Sequence, residues 1–161
     1  MKKVTCRYKH NQEKTVDADE LQFRPSVYAV IIKDNKVLLS RQWDGYDFQG
    51  GGIDKGETIA DALKRETYEE VGIKIDEGKL ITCCDDFYIS KTDVILHSIL
   101  MYYAIDVFEG EPNIDNLVTD EREYISGFDW IDVDKLSDVK FYNGVDSESI
   151  VKDATNILHK T

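Results

Sequence analysis

The stretch Gly50–Ile73, GGGIDKGETIADALKRETYEEVGI, decides how this chain is read. Three glycines run into a loop, the loop runs into a helix, and the helix ends in Glu66, Glu69 and Glu70. Thr58 to Val71 has helical spacing, with Ile59, Ala62 and Leu63 at i, i+3 and i+4 and Gly72 as the stop. Carboxylates at a helix C-terminus oppose the macrodipole, which favours cations there. Glu66 and Glu70 also form a like-charged i, i+4 pair, which costs roughly 0.2–0.5 kcal/mol.

The angular position of these charges matters more than their number. On a helix turning about 100° per residue, Ile59, Ala62 and Leu63 lie within about 60° of Glu66, and so do Glu69 and Glu70. A solvated acidic face would lie opposite the apolar stripe. Here the carboxylates continue it. Local rules tend to be broken at functional sites, and a hard divalent cation such as Mg²⁺, which takes oxygen ligands and shares its shell with phosphates, would compensate both offences. The glycines permit close approach of backbone to a ligand. Glu57 suits the helix N-terminus, and Arg65, eight residues on, is placed to pair with it and fix the loop against the helix.

The chain has 161 residues, of which 42% are hydrophobic and 11% aromatic, and this fits one folded domain over residues 1–161. Twenty Lys and Arg against 32 Asp and Glu give a net charge of −12. Such a field repels a nucleic-acid polymer and excludes duplex binding through a basic face. A small anionic ligand would need local positive charge, which a bound divalent cation supplies. Cys6, Cys83 and Cys84 are odd in number, with no C-x-x-C and no histidine at metal spacing, and they read as small buried thiols of a reducing, cytoplasmic compartment. The opening MKKVTCRYKHNQEKT lacks the apolar core of a signal peptide, and the longest apolar run, Ile99–Ile105, is too short to span a bilayer.

Around the central stretch, Val4–Lys9 reads as a short first strand. Ser26–Gln42 reads as a hairpin turning at Lys33-Asp34-Asn35-Lys36. Lys79–Ser90 and Asp93–Phe108 read as strands, Glu109–Gly127 as a polar loop, and Phe128–Leu136 as a strand running into a helical turn. The chain closes on a helix with Ile150, Ala154, Ile157 and Leu158 in one stripe and Asp146 or Ser147 as cap. Mostly antiparallel strands with one central and one terminal helix predict an α/β sandwich of the segregated, α+β kind.

Gly51, Glu57, Arg65, Glu66, Glu69, Glu70, Gly72 and Ile73, at these spacings, resemble the Nudix box, G-x5-E-x7-R-E-U-x-E-E-x-G-U with U a bulky aliphatic residue. Thr67 stands at one aliphatic position; upstream, Tyr46 and Gln49 stand where Trp and Pro are common in the family. The resemblance extends from Ser26 to Leu136. It implies an α/β/α sandwich with a mixed central sheet, the loop–helix–loop of the box and a C-terminal helix. It also implies a pyrophosphohydrolase that cuts a nucleoside diphosphate linked to another group, with Glu66, Glu69, Glu70 and the Gly51 carbonyl holding Mg²⁺ or Mn²⁺. Glu57 and Arg65 would be the structural pair. The base for the attacking water is Glu69, within the cluster, or Glu121 or Glu123 in the later loop. The alternative is a nucleotide-binding or sensing domain without turnover, but such domains usually carry an eroded box. An isoprenoid diphosphate isomerase of the same fold would need a cysteine near the box entry, and none lies between Cys6 and Cys83.

For the substrate, Arg41 at the end of the hairpin is either a phosphate contact or half of a surface ion pair. Arg24, at the hairpin entry, is a second candidate. Trp43, Tyr46 and Phe48 either stack on a base or join the core, and Phe87, Tyr88 and Tyr103 carry the same ambiguity. His10, His97 and His159 are scattered and define no site. The expected partner is a small nucleotide, with no nucleic-acid polymer and no membrane; a homodimer is compatible with the sequence.

Overall fold

The computed structural model describes residues 1–8 and 12–160, so Lys9 of the expected first strand and His10 lie outside the described residues. Strand β3 (Gln22–Lys33) is the spine. It turns through Asp34 and Asn35, whose φ of 50° and 58° give the left-handed pair that a two-residue hairpin requires, into β4 (Lys36–Gln42). The long strands β8 (Lys79–Ile89) and β9 (Ile95–Ile105) pair antiparallel, and β9 runs parallel to β3 from Gln22↔Leu96 to Ile31↔Ile105. The strand β1 (Lys3–Tyr8) joins β8 in parallel at Arg7↔Tyr88 and carries β2 (Gln12–Asp17) on its outer edge. At the other end, β11 (Ile125–Asp132) pairs with β4, giving the order β11-β4-β3-β9-β8-β1-β2. Strand β5 (Gly45–Asp47) pairs with β4, and β6 (Gln49–Gly52) pairs with the first half of β3. Two short strands, β7 (Lys74–Ile75) and β10 (Phe108–Glu109), form a separate ribbon.

The sheet is mixed, as the resemblance implies, and most of its pairings are antiparallel, as the strand pattern suggests; the parallel contacts are β3 with β9 and β1 with β8. Other expectations change. The three glycines form strand β6 rather than a loop, in register Ser26↔Gly52, Val27↔Gly51 and Tyr28↔Gly50. The expected first strand is shifted to Lys3–Tyr8, and β2 was not anticipated.

Alternation along β3 feeds two cores. Val27, Ala29 and Ile31 face helix α1 (Ile59–Val71), meeting Ala62, Leu63 and Val71. The Thr58 side chain caps this helix by accepting from the Asp61 N–H, and Gly72, at φ 74°, ends it. On the opposite face Val30, Leu100, Tyr102 and Ala104 meet Ile150, Val151 and Ala154 of helix α3 (Ser147–His159). The polar segment after β10 contains one short helix, α2 (Thr119–Arg122), and a 3₁₀ turn over Val133–Asp138 follows β11. Of the cysteines only Cys6 is fully buried; Cys84 is half-buried and Cys83 exposed, because adjacent strand residues point to opposite faces and one face of β8 is open there. Among the described residues, no helix is long and apolar enough to cross a membrane.

The Asp146 carboxylate accepts from the Ser149 backbone N–H at 3.1 Å and caps α3. Replacing Asp146 with Ala is expected to lower unfolding stability by about 1 kcal/mol. A urea titration followed by circular dichroism measures this, and an unchanged midpoint would remove the cap from the stability of α3.

Candidate active site

The site begins with glycines that have no room for a side chain. A Cβ on Gly50, at φ 153°, would stand 2.0 Å from the Val27 carbonyl oxygen, and one on Gly51 would stand 2.6–2.7 Å from the Glu66 carboxylate. Missing side chains therefore let α1 lie directly against β6. The Gly50 N–H donates to Glu70 Oε2 at 2.8 Å.

Arg65 organises the rest. Its Nε and Nη2 clasp the two oxygens of Glu57 at 2.7 and 2.8 Å, and Nη2 also donates to the Gly52 carbonyl at 3.1 Å. Its Nη1 reaches Glu66 at 2.8 Å and Glu69 at 3.1 Å. The Asp54 N–H adds a bond to Glu57, at 3.0 Å. Hydrogen bonding from Arg65, followed by that N–H, holds the Glu57 carboxyl down to about 2. Burial does the reverse at Glu70, which is 7% exposed: its pKa rises well above the ordinary value, and the charges of Glu121, Glu66 and Asp47 push the same way. Burial also raises Glu66, with Glu69 and Glu121 adding to it.

The carboxylate stripe is real but rotated from its expected setting. The buried face of α1 is Ala62, Leu63, Thr67, Glu70 and Val71. Ile59, in the first turn, is 43% exposed, and the Glu69 side chain is 49% exposed at the edge of the face. Thr67, the departure from the box, fits because its hydroxyl donates to the Leu63 carbonyl at 2.7 Å. Among the described residues, no three His, Cys, Asp or Glu side chains converge as a metal-ligand group; Glu66 and Glu69 turn to Arg65, and Glu70 to Gly50.

The later loop delivers one of its two glutamates. Glu121, on α2, lies close enough to raise both Glu66 and Glu70, whereas the charge of Glu123 acts on Lys91. Tyr124, which the sequence did not single out, closes this side. Burial first, then Glu70, Glu121 and Asp47, push its hydroxyl up to about 12. Its ring stacks on Trp43 at 5.6 Å, and the Lys91 ammonium sits 3.8 Å from the Tyr124 centroid and 4.6 Å from that of Trp43. These contacts join three segments that are distant in the chain, so no local pattern announced them.

The expected substrate residues separate. Arg41 is held bidentate by Asp129 at 2.9 and 2.6 Å, and the Tyr46 hydroxyl donates to the same carboxylate at 2.8 Å. Both are therefore engaged in an ion-pair cluster on β4, β5 and β11. Phe48 is 2% exposed, stacked on Phe141 at 5.7 Å and edge-on to Tyr102 at 5.6 Å. The suggestion that Phe48 stacks on a base is corrected: the ring is core, enclosed between the sheet and the segment before α3. Phe87 stacks on His97 at 4.3 Å. Asp47, beside Phe48, accepts at one oxygen from the Phe48 N–H and from Asn143 Nδ2, at 2.8 and 2.9 Å, and burial pushes its carboxyl up to about 6.

A mixed sheet between two helices, with a glycine strand under an arginine-clamped carboxylate helix, defines a Nudix-type α/β/α fold. The NUDIX domain model matches residues 22–153, and the chain belongs to the Nudix family. It is 45% identical over 62 residues to an RNA pyrophosphohydrolase of Tolumonas auensis, a match covering 37% of this chain and 36% of that protein. It is 32% identical over 74 residues to an 8-oxo-dGTP diphosphatase of Buchnera aphidicola, covering 42% and 57% respectively. The matches to the RNA pyrophosphohydrolases thus span about two-fifths or less of their length. Solved structures share the fold: a MutT protein from Bacillus halodurans superposes with a TM-score of 0.64 at 20% identity, covering 80% of each chain. A MutT Nudix hydrolase from Burkholderia pseudomallei gives 0.62 at 22%, covering 81% of this chain and 95% of that one.

Asp47 yields a pH test. Its folded pKa lies above its unfolded value, so folding takes up a proton between about pH 4 and 6, and stability contributed by the neutral form is lost as pH rises through that window. Asp47→Asn keeps the acceptor oxygen and cannot ionise. It is expected to raise the thermal midpoint at pH 8, with the gain shrinking as pH falls toward 4. A gain that is the same at both pH values would refute the assignment.

Proposed function

We propose that this protein is a metal-dependent pyrophosphohydrolase that cuts a phosphoanhydride bond in a nucleoside diphosphate linked to a further group, by attack of water on phosphorus. The observation that carries the reading is the under-neutralised carboxylate set. Glu66, Glu69 and Glu70 stand on one helix, with Glu57 and Glu121 beside them and the Arg65 guanidinium as the shared cation. The donor chemistry fits a hard divalent cation, since a buried carboxylate with a raised pKa is the group that such a cation stabilises. Nudix proteins generally use divalent metals; here Glu66, Glu69, Glu70 and the Gly51 carbonyl would hold Mg²⁺ or Mn²⁺. When bound, the ion neutralises the diphosphate and acidifies the attacking water.

The remaining roles belong to side chains. Arg65 fixes Glu57 and the loop Ile53–Thr58 against α1, which sets the backbone of β6 under the substrate. Glu69, the most exposed of the three, takes the proton from water. A second reading gives that proton to Glu121, because its charge faces Glu66 and Glu70; Glu123 lies toward Lys91 instead. The relatives, an RNA pyrophosphohydrolase and an 8-oxo-dGTP diphosphatase, suggest the panel to test: nucleoside triphosphates, oxidised ones included, and RNA carrying a 5′ triphosphate. The strongly acidic surface favours the small nucleotide.

Purified protein is expected to release phosphate or pyrophosphate from a member of this panel with Mg²⁺ or Mn²⁺ and to lose the activity in excess chelator. Glu69→Gln is expected to lower kcat by about 10²–10⁴-fold without changing the thermal midpoint. Full activity in that variant, with a large loss in Glu121→Gln, would move the base to α2. No turnover across the panel would leave the binding-domain reading.

A further inference from the structure

On the face of the sheet opposite α1, the side chains become polar at the same end as the carboxylates. Ser26 is 2% exposed, and Ser98, directly across from Arg24 on β9, is completely buried. The Ser98 hydroxyl has no hydrogen-bond partner among the described residues, unusual for a buried donor. Its neighbour on the far side is Asp86, in register on β8. With strands about 4.8 Å apart, Arg24, Ser98 and Asp86 make a row roughly 10 Å long.

Arg24 is the second independent feature. The chain has five arginines. Arg7 pairs with Asp86 at 2.8 Å, Arg41 with Asp129, Arg65 with Glu57, and Arg122 donates to the carbonyls of Leu117 and Asp115. Among the described residues Arg24 donates only to the Tyr88 hydroxyl, at 3.1 Å. In a chain of 32 acidic residues, a guanidinium without a carboxylate is conspicuous. It also has a defined place: a Cβ on Gly52 would stand 2.9 Å from its Nε, while the Gly52 carbonyl accepts from Arg65. Asp86, at the far end of the row, is neutralised by Arg7 and does not repel an anion there.

We propose that Arg24 and Ser98 form the subsite for the nucleoside half of the substrate: Arg24 binds the phosphate that stays on the nucleoside, the Tyr88 hydroxyl binds the sugar beyond it, and the Ser98 hydroxyl, enclosed in the free protein, joins it when Arg24 turns onto the phosphate. A substrate leaving the carboxylates across Gly52 meets the guanidinium first and the hydroxyls next, which is the order of phosphate and sugar. The planar, five-donor guanidinium matches phosphate oxygens and is free to offer its donors. The identity of the ligand rests on the pyrophosphohydrolase reading. The phosphate chemistry is shared by a free nucleotide and by the 5′ end of an RNA.

Binding separates this subsite from turnover. Calorimetric titration in chelator, with ADP and with inorganic pyrophosphate, is made on wild type, Arg24→Ala, Arg24→Lys and Ser98→Ala. Arg24→Ala is expected to weaken ADP by about tenfold or more, with partial recovery in Arg24→Lys. Ser98→Ala is expected to weaken ADP by about fivefold, to leave pyrophosphate unchanged, and not to lower the thermal midpoint, since it deletes an unpartnered hydroxyl. Wild-type ADP binding that neither variant alters, or no ADP binding by wild type, would overturn the subsite whatever the turnover result. Absence of turnover with ADP binding lost in Arg24→Ala would instead sink the hydrolase reading and keep the subsite. Steady-state KM for ATP and for a 5′-triphosphorylated dodecamer RNA, in Mg²⁺, then distinguishes the sources. Arg24→Ala is expected to raise KM more than it lowers kcat for the substrate that wild type prefers, and a change confined to kcat would overturn the binding role.

Discussion

The Arg65 guanidinium is the interaction on which the rest of the site depends. One planar group ties the loop at Glu57, the strand at the Gly52 carbonyl and the helix at Glu66 and Glu69. A lysine could not do this, because its ammonium is a point charge without the fixed fork that reaches two oxygens of one carboxylate and a carbonyl at once. The clamp is electrostatically incomplete by construction. Glu57, Glu66 and Glu69 share one guanidinium, Glu70 lies outside its reach, and the hydrogen bonds are distributed unevenly among the four. Glu57 takes two from Arg65 and one from the Asp54 N–H and drops to about 2, whereas Glu70 receives one backbone N–H in a buried place and rises. The imbalance is what makes the cluster receptive to further positive charge.

The glycine strand is the geometric counterpart of that clamp. Side chains on both surfaces ordinarily hold a helix and a strand apart. Gly51 removes the side chain facing Glu66, and Gly50 the one that would strike the Val27 carbonyl. Glycine weakens a strand interior and commonly marks close approach of another backbone or a ligand, and β6 does both. Pairing with β3 supplies the rigidity that three glycines lack, through four registered positions. The hairpin partner β4 takes over from β6 at Ile32 and Lys33, so β3 supports the site with its first half and the core with its second.

How much of this was legible follows from the range of each interaction. The box residues act within twenty-three positions, so spacing alone exposed the Glu57–Arg65 pair, the helix and Gly72 as its end, while the Thr58 cap emerged only with the structure. The Asp34-Asn35 turn was legible for the same reason: two residues suffice to define it. Glycines were misread because their usual meaning is a loop, and only the tertiary partner Val27 shows otherwise. Arg41 and Asp129 are 88 positions apart, and no local pattern tells an arginine awaiting phosphate from one already held by aspartate. The same limit hid the difference between Glu121 and Glu123, two residues apart on a four-residue helix and a β-strand approach. The buried face of α1 is turned from Ile59 and Glu69 toward Thr67 and Glu70, because the side that packs on the sheet is fixed by tertiary contacts that the helix's own sequence does not contain.

Both sheet faces change character at one end, and this explains how a family fold carries a particular specificity. On the α1 face, aliphatic Ala62 and Leu63 give way to Glu66 and Glu70. On the α3 face, Val30, Ala104 and Leu100 give way to Ser98, Arg24 and Tyr88. The apolar halves hold the two helices and are worth most of the stability, since burial of hydrocarbon dominates folding. The polar halves are held in place by the same strands at no separate cost in ordering, because each strand is already fixed by its apolar end. Chemistry at the α1 face is constrained by the spacing of the box. The α3 face carries no such constraint, and residues there are free to differ while the clamp stays intact, so selectivity is expected to reside on that face and catalysis in the helix.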